Sequence, residues 1–366
     1  MKQQSLYPQL EINLNKFESN VREVLKRCGE NGVQVAGVVK GVNGIHECVK
    51  AFASQGCAFI ATSRIEQLEA IKKSEIGIPL MMVRIPMLSE VRDVVRLAEI
   101  SLNSEPEVLK ALNEEAEKQG KVHEVILMQD LGDLREGFWE KEELISVALA
   151  VENNLKGLKL AGIGTNVGCY GSIAATVDKM EELIASAGAI EEKIGRKLDY
   201  ISGGATSSLI RIIEGDMPDR INLLRIGEGI ILGRDLDELW GYDMSFLHQD
   251  VFTLKAEVIE VRNKPSHPIG EIMFDAFGNR PVYEDRGVRK RALLGLGKLD
   301  FAFSDKIFPR EKGIEVLGAS SDHTILDIEE AEREIKIGDV VELDVCYASL
   351  LYATNSENVK LVMIRD

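Results

Sequence analysis

Val35-Ala36-Gly37-Val38-Val39-Lys40 is a short apolar run that ends in a lysine, and Gly41-Val42-Asn43-Gly44-Ile45-His46 follows at once. This order reads as a buried strand, a glycine-rich turn and the start of a helix. Such a unit aims one amine from a strand end. An amine held against apolar walls loses part of its hydration, its pKa falls, and it becomes nucleophilic enough to form a Schiff base with an aldehyde. A solvated lysine capping a strand would have the same local sequence, so the stretch takes its meaning from what surrounds it.

Upstream, Leu10, Ile12 and Leu14 alternate with polar residues as in a strand, and Phe17, Val21, Val24, Leu25 and Cys28 follow helical spacing. Downstream, residues 48–54, 65–73 and 91–98 read as helices, and 57–61, 79–83 and 99–102 as short apolar strands. Further strands are expected at 124–128, 158–164, 200–202 and 223–226, with helical stretches between them. Apolar strands alternating with helices predict a parallel sheet, and about eight such units fit a closed (β/α)8 TIM-type barrel over residues 1–236. The extreme N-terminal strand is an exception that can pack on the other domain. From 237 to 366 the pattern changes to strand-like runs at 252–261, 291–294, 314–317, 340–343 and 359–363, which predicts a mainly β C-terminal domain. Trp240, Tyr242 and Phe246 are expected to pack near the junction.

Composition agrees with this division. A chain of 366 residues exceeds what a single core usually supports. No apolar run approaches the roughly 18 residues of a membrane span, and Met1-Lys2-Gln3-Gln4-Ser5 has no apolar signal core, so a cytoplasmic protein is expected. The five cysteines, Cys28, Cys48, Cys57, Cys169 and Cys346, are odd in number and widely spaced, which suits reduced thiols. The net charge of -16 disfavours nucleic acid as a partner. It could also attract a cationic substrate, but a plain acidic surface is the simpler explanation and suffices.

Polar residues recur at the expected strand ends. Asp130, Gly132 and Arg135 follow one strand, Thr165 and Asn166 the next, and Arg225, Gly227, Glu228 and Gly229 close the last. The run Ser202-Gly203-Gly204-Ala205-Thr206-Ser207-Ser208 offers small residues, hydroxyls and backbone N–H groups at a helix start. It suits a phosphate cradle, or a simple helix cap. Gly227 to Gly229 would bring further amides to the same phosphate, as barrels do after their last strands. Arg225 is either a contact to a bound group or a buried ion-pair partner. At the C-terminal ends of barrel strands these residues converge with Lys40 on one site.

Taken together, these residues resemble the alanine racemase-like family, fold type III of the pyridoxal-phosphate enzymes. Val38-Val39-Lys40-Gly41-Val42-Asn43-Gly44-Ile45-His46 is similar to the segment around the family's cofactor lysine. Asp130-Leu131-Gly132-Asp133-Leu134-Arg135-Glu136-Gly137-Phe138 is similar to its Asp-Thr-Gly-Met…Arg…Gly segment, and Arg225-Ile226-Gly227-Glu228-Gly229-Ile230 to its Arg-Pro-Gly-Ile segment. Residues 318–327, which contain Ser321, Asp322 and His323, parallel its Gly-Arg-Val-Ser-Met-Asp-Gln-Thr…Asp segment. The resemblance implies pyridoxal 5'-phosphate as cofactor, an amino-acid substrate, and a homodimer in which one subunit's β domain completes the other's site. It implies that Lys40 carries the cofactor as a Schiff base and acts as one acid/base. Arg135 would touch the cofactor phenolate or the substrate carboxylate, and Asn166 would stand beside the ring. Arg225 would face the pyridine nitrogen. Thr206 or Ser207, with the amides of Gly227 and Glu228, would hold the phosphate, and Ser321 and Asp322 would reach the partner's substrate.

The departures from the family pattern narrow the reading. Alanine racemases carry a tyrosine in a Gly-Tyr-Ala-Asp-Gly segment as second base, whereas Gly297-Lys298-Leu299-Asp300-Phe301 has none. Racemisation exchanges a proton on both faces of the α-carbon. Lys40 serves one face, and Lys298, Asp300, Ser321, His323 and Cys346 are candidates for the other. Ile45 lies near the place of the tyrosine that follows the family's cofactor lysine, and Met128 stands where a lysine is frequent. Gly270-Glu271-Ile272, Asp275-Ala276-Phe277-Gly278 and Ser320-Ser321-Asp322-His323 are similar to the ornithine racemase-like branch, which implies a racemase for ornithine or a related basic amino acid, with Asp275, Glu271 and Asp300 as candidate partners of a distal ammonium. A racemase for alanine or another amino acid remains open. So does a D-hydroxy amino acid lyase of the D-threonine aldolase or D-serine dehydratase type, in which His323 and Cys346 would help to hold a divalent ion. With one histidine and one cysteine in place, too few for zinc, no metal is expected.

Overall fold

The computed structural model describes residues 6–366, so the segment read above for a signal core lies outside the described residues. Strand β1 is Gln9–Asn13. It is followed by β2 (Gln34–Val38), β3 (Phe59–Thr62), β4 (Leu80–Met82), β5 (Ile100–Asn103), β6 (His123–Met128), β7 (Leu158–Gly164), β8 (Tyr200–Ser202) and β9 (Leu223–Ile226). Strands β2 to β9 pair in parallel, each with the next, and β9 closes on β2 with Ala36 opposite Arg225. The expected (β/α)8 barrel is therefore present. Its strands are covered on both faces, which is why they read as continuous apolar runs rather than as alternating ones.

Inside the barrel Ala36, Ala61 and Ala161 leave room for Phe59, Met81, Leu102, Ile126 and Met128. Small and large side chains must share the tapering interior of an eight-stranded barrel. Met128 is fully buried in this core. Behind β2, helices Leu14–Glu30 and His46–Gln55 meet through Phe17 and Phe52, whose rings pack edge to face with centroids 5.2 Å apart. Gly37 makes this possible, because a Cβ there would lie 2.6 Å from the Phe52 ring. The strand that carries Lys40 is thus seated directly on an aromatic pair.

A polar knot lies behind β5 and β6. The Nε2 atom of buried His123 is 2.8 Å from Ser101 Oγ, and Asn103 Nδ2 donates to the Ser101 carbonyl and hydroxyl, each at 3.0 Å. Burial pushes the His123 pKa from its ordinary 6.5 down to about 4, so the ring is neutral inside the fold.

The remaining strands are β10 (Phe252–Pro265), β11 (Val288–Leu294), β12 (Ile307–Pro309), β13 (Glu315–Ala319), β14 (Thr324–Asp327), β15 (Val340–Val345) and β16 (Lys360–Ile364). They form a second, mainly antiparallel sheet in the order β12-β15-β10-β11-β14-β13. β1 joins it, antiparallel to β10 and parallel to β16. Two short helices, Lys298–Phe301 and Tyr347–Ala353, belong to the same unit.

The two compact units are 16–248 and, for the second, the described residues up to Asn15 with Gln249–Asp366. The division falls at 248/249, not at 236/237. Residues 237–248 pack on helix Leu14–Glu30: the Arg27 guanidinium sits 3.8 Å from the Phe246 ring centroid, and Asn20 exchanges two hydrogen bonds of 2.8 Å with the His248 backbone. Among the described residues no helix is long and apolar enough to cross a membrane.

Two stability measurements check this packing. Phe52→Ala should lower unfolding free energy by about 3–5 kcal/mol in urea titration, as for other fully buried phenylalanines; a loss under about 1 kcal/mol would contradict the seat described for β2. For His123, the unfolded chain takes up a proton near pH 6.5 while the fold resists it until about 4. Its contribution is therefore complete above 6.5 and is lost as pH falls toward 4, about 3 kcal/mol in all. His123→Gln should flatten the dependence of Tm on pH across that window, and an unchanged slope would disprove the account.

Candidate active site

Strand β2 delivers Lys40 into a single 3-10 turn, Lys40–Val42, closed by Asn43 in the left-handed conformation at φ 48°. The turn is tied down from outside. Gln67 Nε2 donates to Asn43 Oδ1 at 2.8 Å, and the Thr62 hydroxyl at the end of β3 donates to Gln67 Oε1. The amine is therefore carried by a fixed backbone at the C-terminal end of a barrel strand, where barrels of this kind place their chemistry. Burial lowers the Lys40 pKa, and the charges of Arg135 and Arg225 lower it further against the opposing influence of Cys169 and Glu136. A smaller ammonium fraction means a larger nucleophilic one.

Arg225 lies on β9 and is buried. Its guanidinium donates to Ser202 Oγ at the end of β8 and to the Thr165 carbonyl at 2.7 Å after β7. Burial draws its pKa down to about 10, which still leaves it cationic at neutral pH. Three consecutive strand ends are thus joined by one side chain. Beside it the Thr165 hydroxyl is buried with no hydrogen-bond partner, an orphaned polar group that a bound molecule would satisfy. Asn166 follows it, partly buried.

The hydroxyls after β8 divide their tasks. Thr206 Oγ1 accepts from the Gly229 N–H at 3.0 Å and so links the two loops of the expected cradle, while its own proton is left to donate. The Ser207 hydroxyl donates to the Val167 carbonyl at 2.5 Å, which leaves Thr206 as the one of the two whose donor is not engaged by these contacts. Gly227 caps the short helix that Glu228 opens, and the first amides of a helix have no intrahelical acceptor. The Glu228 side chain turns elsewhere. Its carboxylate accepts from the Arg234 and Asp235 amides at 2.9 and 3.1 Å, and burial, with the charge of Asp235, pushes its pKa up.

Arg135 follows β6. It is held by Glu136 and donates from Nη1 to Cys169 Sγ at 3.3 Å. Neither Glu136 nor Cys169 was singled out as a site residue from the sequence. The only signal was that Glu136 adjoins Arg135, and chain adjacency does not reveal that two side chains point the same way.

The other expected residues belong to the β unit. Lys298 Nζ lies 3.8 Å from the centroid of the Phe277 ring, a cation–π contact. Asp300 is buried and committed: its carboxylate accepts from the Gly297 N–H at 3.2 Å, the Ser356 hydroxyl at 2.8 Å and the Asn358 amide at 3.4 Å. It holds its own turn together. Ser321, Asp322 and His323 lie in the loop between β13 and β14, where the Ser321 hydroxyl donates to Asp322 Oδ2 at 2.7 Å. Asp275 likewise organises a turn, accepting from Phe277 N and Asn279 N at 2.9 and 2.7 Å. Among the described residues no group of three or more His, Cys, Asp or Glu side chains is gathered as a metal site requires.

An amine of lowered pKa, two guanidiniums, an orphaned hydroxyl and helix-start amides are groups that an aldehyde carrying anionic groups would call for. The comparisons with known proteins agree. The sequence model described as "Alanine racemase, N-terminal domain" matches residues 12–235. The ornithine racemase of Acetoanaerobium sticklandii is 40% identical over 358 residues, 97% of this chain and 99% of that protein. The lysine racemase of Thermotoga maritima is 38% identical over 357 residues, 98% of each. Among solved structures, the alanine racemase of Bartonella henselae with covalently bound pyridoxal phosphate superposes with a TM-score of 0.73 at 17% identity, covering 98% of this chain and 100% of that one, which speaks for the fold. The chain belongs to the alanine racemase family.

Proposed function

We propose that this protein is a pyridoxal 5'-phosphate-dependent racemase that interconverts the L and D forms of a basic amino acid, ornithine first. The observation that carries the proposal is the half-buried Lys40 at a barrel strand end, its amine pKa lowered by burial and by the charges of Arg135 and Arg225. The relatives named above support the substrate class, since two proteins alike over nearly their full length are an ornithine racemase and a lysine racemase.

The residues present fit the cofactor. Lys40 would hold it covalently. Thr206, with the amides of Gly227 and Glu228, would hold its phosphate, Arg225 would face the ring nitrogen, and Asn166 and Arg135 would flank the ring. When bound, the cofactor supplies an aldehyde carbon for the substrate amine and an electron-withdrawing ring that acidifies the α-hydrogen. Arg225 keeps its own proton at neutral pH and is fixed by Ser202 and Thr165, so it would face a bound ring nitrogen as a hydrogen-bond donor rather than as an acid. The Lys40 amine takes or returns the α-proton on one face. The other face needs a second acid/base. Ser321, hydrogen-bonded to Asp322, has the geometry of a hydroxyl that a carboxylate can activate, and it is the candidate this reading prefers over Lys298 and His323. A homodimer is part of the same proposal.

Borohydride reduction of the cofactor-loaded enzyme followed by peptide mass spectrometry tests the centre of this reading. The pyridoxyl group is expected on Lys40, and Lys40→Ala should lose both the visible cofactor absorbance and all turnover. Labelling at another lysine, or racemisation that survives in Lys40→Ala, would overturn it.

A further inference from the structure

Lys40, Arg135 and Arg225 place three cationic groups within electrostatic reach of one another, and Glu136 is the carboxylate among them. Arg135 is the more exposed of the two arginines, with 37% of its side chain exposed, while Glu136 beside it is only 18% exposed. The two make a forked pair: Arg135 Nη2 donates to Glu136 Oε1 at 2.6 Å, and Nε meets Oε2. The remaining nitrogen, Nη1, donates to Cys169 Sγ at 3.3 Å in the loop after β7. The guanidinium is therefore held along one edge by its chain neighbour and along the other by a different loop.

Such a pair between adjacent residues is unusual. In a strand successive side chains point to opposite faces, and on a helix neighbours in sequence do not face each other. Here the backbone is irregular. Leu134 takes φ 56° and Gly132 φ 111°, and Gly137 takes φ 131° so close to the preceding chain that a Cβ would fall 2.4 Å from Asp130 N. The segment is then bolted to the loop after β7 by Asp133, a buried residue whose carboxylate accepts from the Cys169 and Tyr170 amides at 3.1 and 3.0 Å. A rigid backbone that turns two adjacent side chains together is what a fork-to-fork contact requires.

We propose that Glu136 is the positioning residue of the site: it fixes the Arg135 guanidinium against Cys169, within electrostatic reach of Lys40. This rests on the racemase reading above for the meaning of Arg135, but its geometry stands by itself. Arg135 acts at the end of the substrate or cofactor that every amino acid shares, so loss of Glu136 should harm charged and uncharged substrates alike.

The test uses Glu136→Gln in the full-length protein, checked for an unchanged melting temperature, with two readouts. The first is alkylation of Cys169 by iodoacetamide at pH 7, followed on its peptide by mass spectrometry. If Arg135 swings away, the Cys169 sulfur loses its cationic neighbour and alkylation should slow about three-fold or more. If Arg135 stays in place, the guanidinium remains against the sulfur, and alkylation unchanged or faster overturns the proposal. The second readout is kcat/KM for ornithine and for norvaline, which lacks the distal ammonium. An equal fall of about ten-fold or more is expected for both, with partial recovery in Glu136→Asp. A fall confined to ornithine would instead make Glu136 the partner of the substrate ammonium and overturn the positioning role. Slower alkylation in a protein whose wild type racemises no amino acid would uphold the positioning and sink the racemase reading.

Discussion

The molecule is organised around the cost of keeping one amine out of water. Lys40 can be nucleophilic at neutral pH only if its ammonium form is disfavoured, and the barrel does this mainly by burial, with Arg135 and Arg225 adding repulsion. Each of these groups needs an anchor of its own, since a cation out of water is tolerated only when it is hydrogen-bonded or paired. Arg225 finds Ser202 and Thr165 on neighbouring strand ends, and Arg135 finds Glu136 and Cys169. The turn that bears Lys40 is fixed in its own way by Asn43, Gln67 and Thr62. Charges that would repel one another in a looser frame are held at fixed places by a closed barrel whose strands cannot shift singly.

Much of this frame was legible in the sequence, for physical reasons. Barrel strands covered on both faces must be apolar throughout, so β2 to β9 stood out as short runs between helical spacings. β1 read correctly as a strand from the alternation of Leu10, Ile12 and Leu14, but alternation does not name a partner, and its place between β10 and β16 emerges only in three dimensions. Two strands of the β unit escaped notice. Ile307–Pro309 is three residues long and carries a proline, which suits only an edge. Thr324–Asp327 was absorbed into the motif that precedes it.

The position of candidate residues was legible where it follows from strand ends, as for Lys40, Arg225 and Thr206. It was illegible where it depends on backbone shape. Glu136 becomes a partner of Arg135 only because Gly132, Leu134 and Gly137 take positive φ, and nothing in the order of residues announces it. Asp300 shows the converse. Its type and its motif suggested acid/base work, yet three hydrogen bonds spend its carboxylate on its own turn. Ser207 is a similar case, since the carbonyl of Val167 claims its proton.

The measurement that bears most directly on the whole account is chiral chromatography of single amino-acid enantiomers incubated with the enzyme and pyridoxal phosphate in heavy water. The panel would hold ornithine, lysine, arginine, alanine, serine and threonine. The account requires the opposite enantiomer of ornithine, or of another basic amino acid, to appear with deuterium at the α-carbon. Consumption of a D-hydroxy amino acid without formation of its mirror image, with an aldehyde or ammonia released, would contradict it.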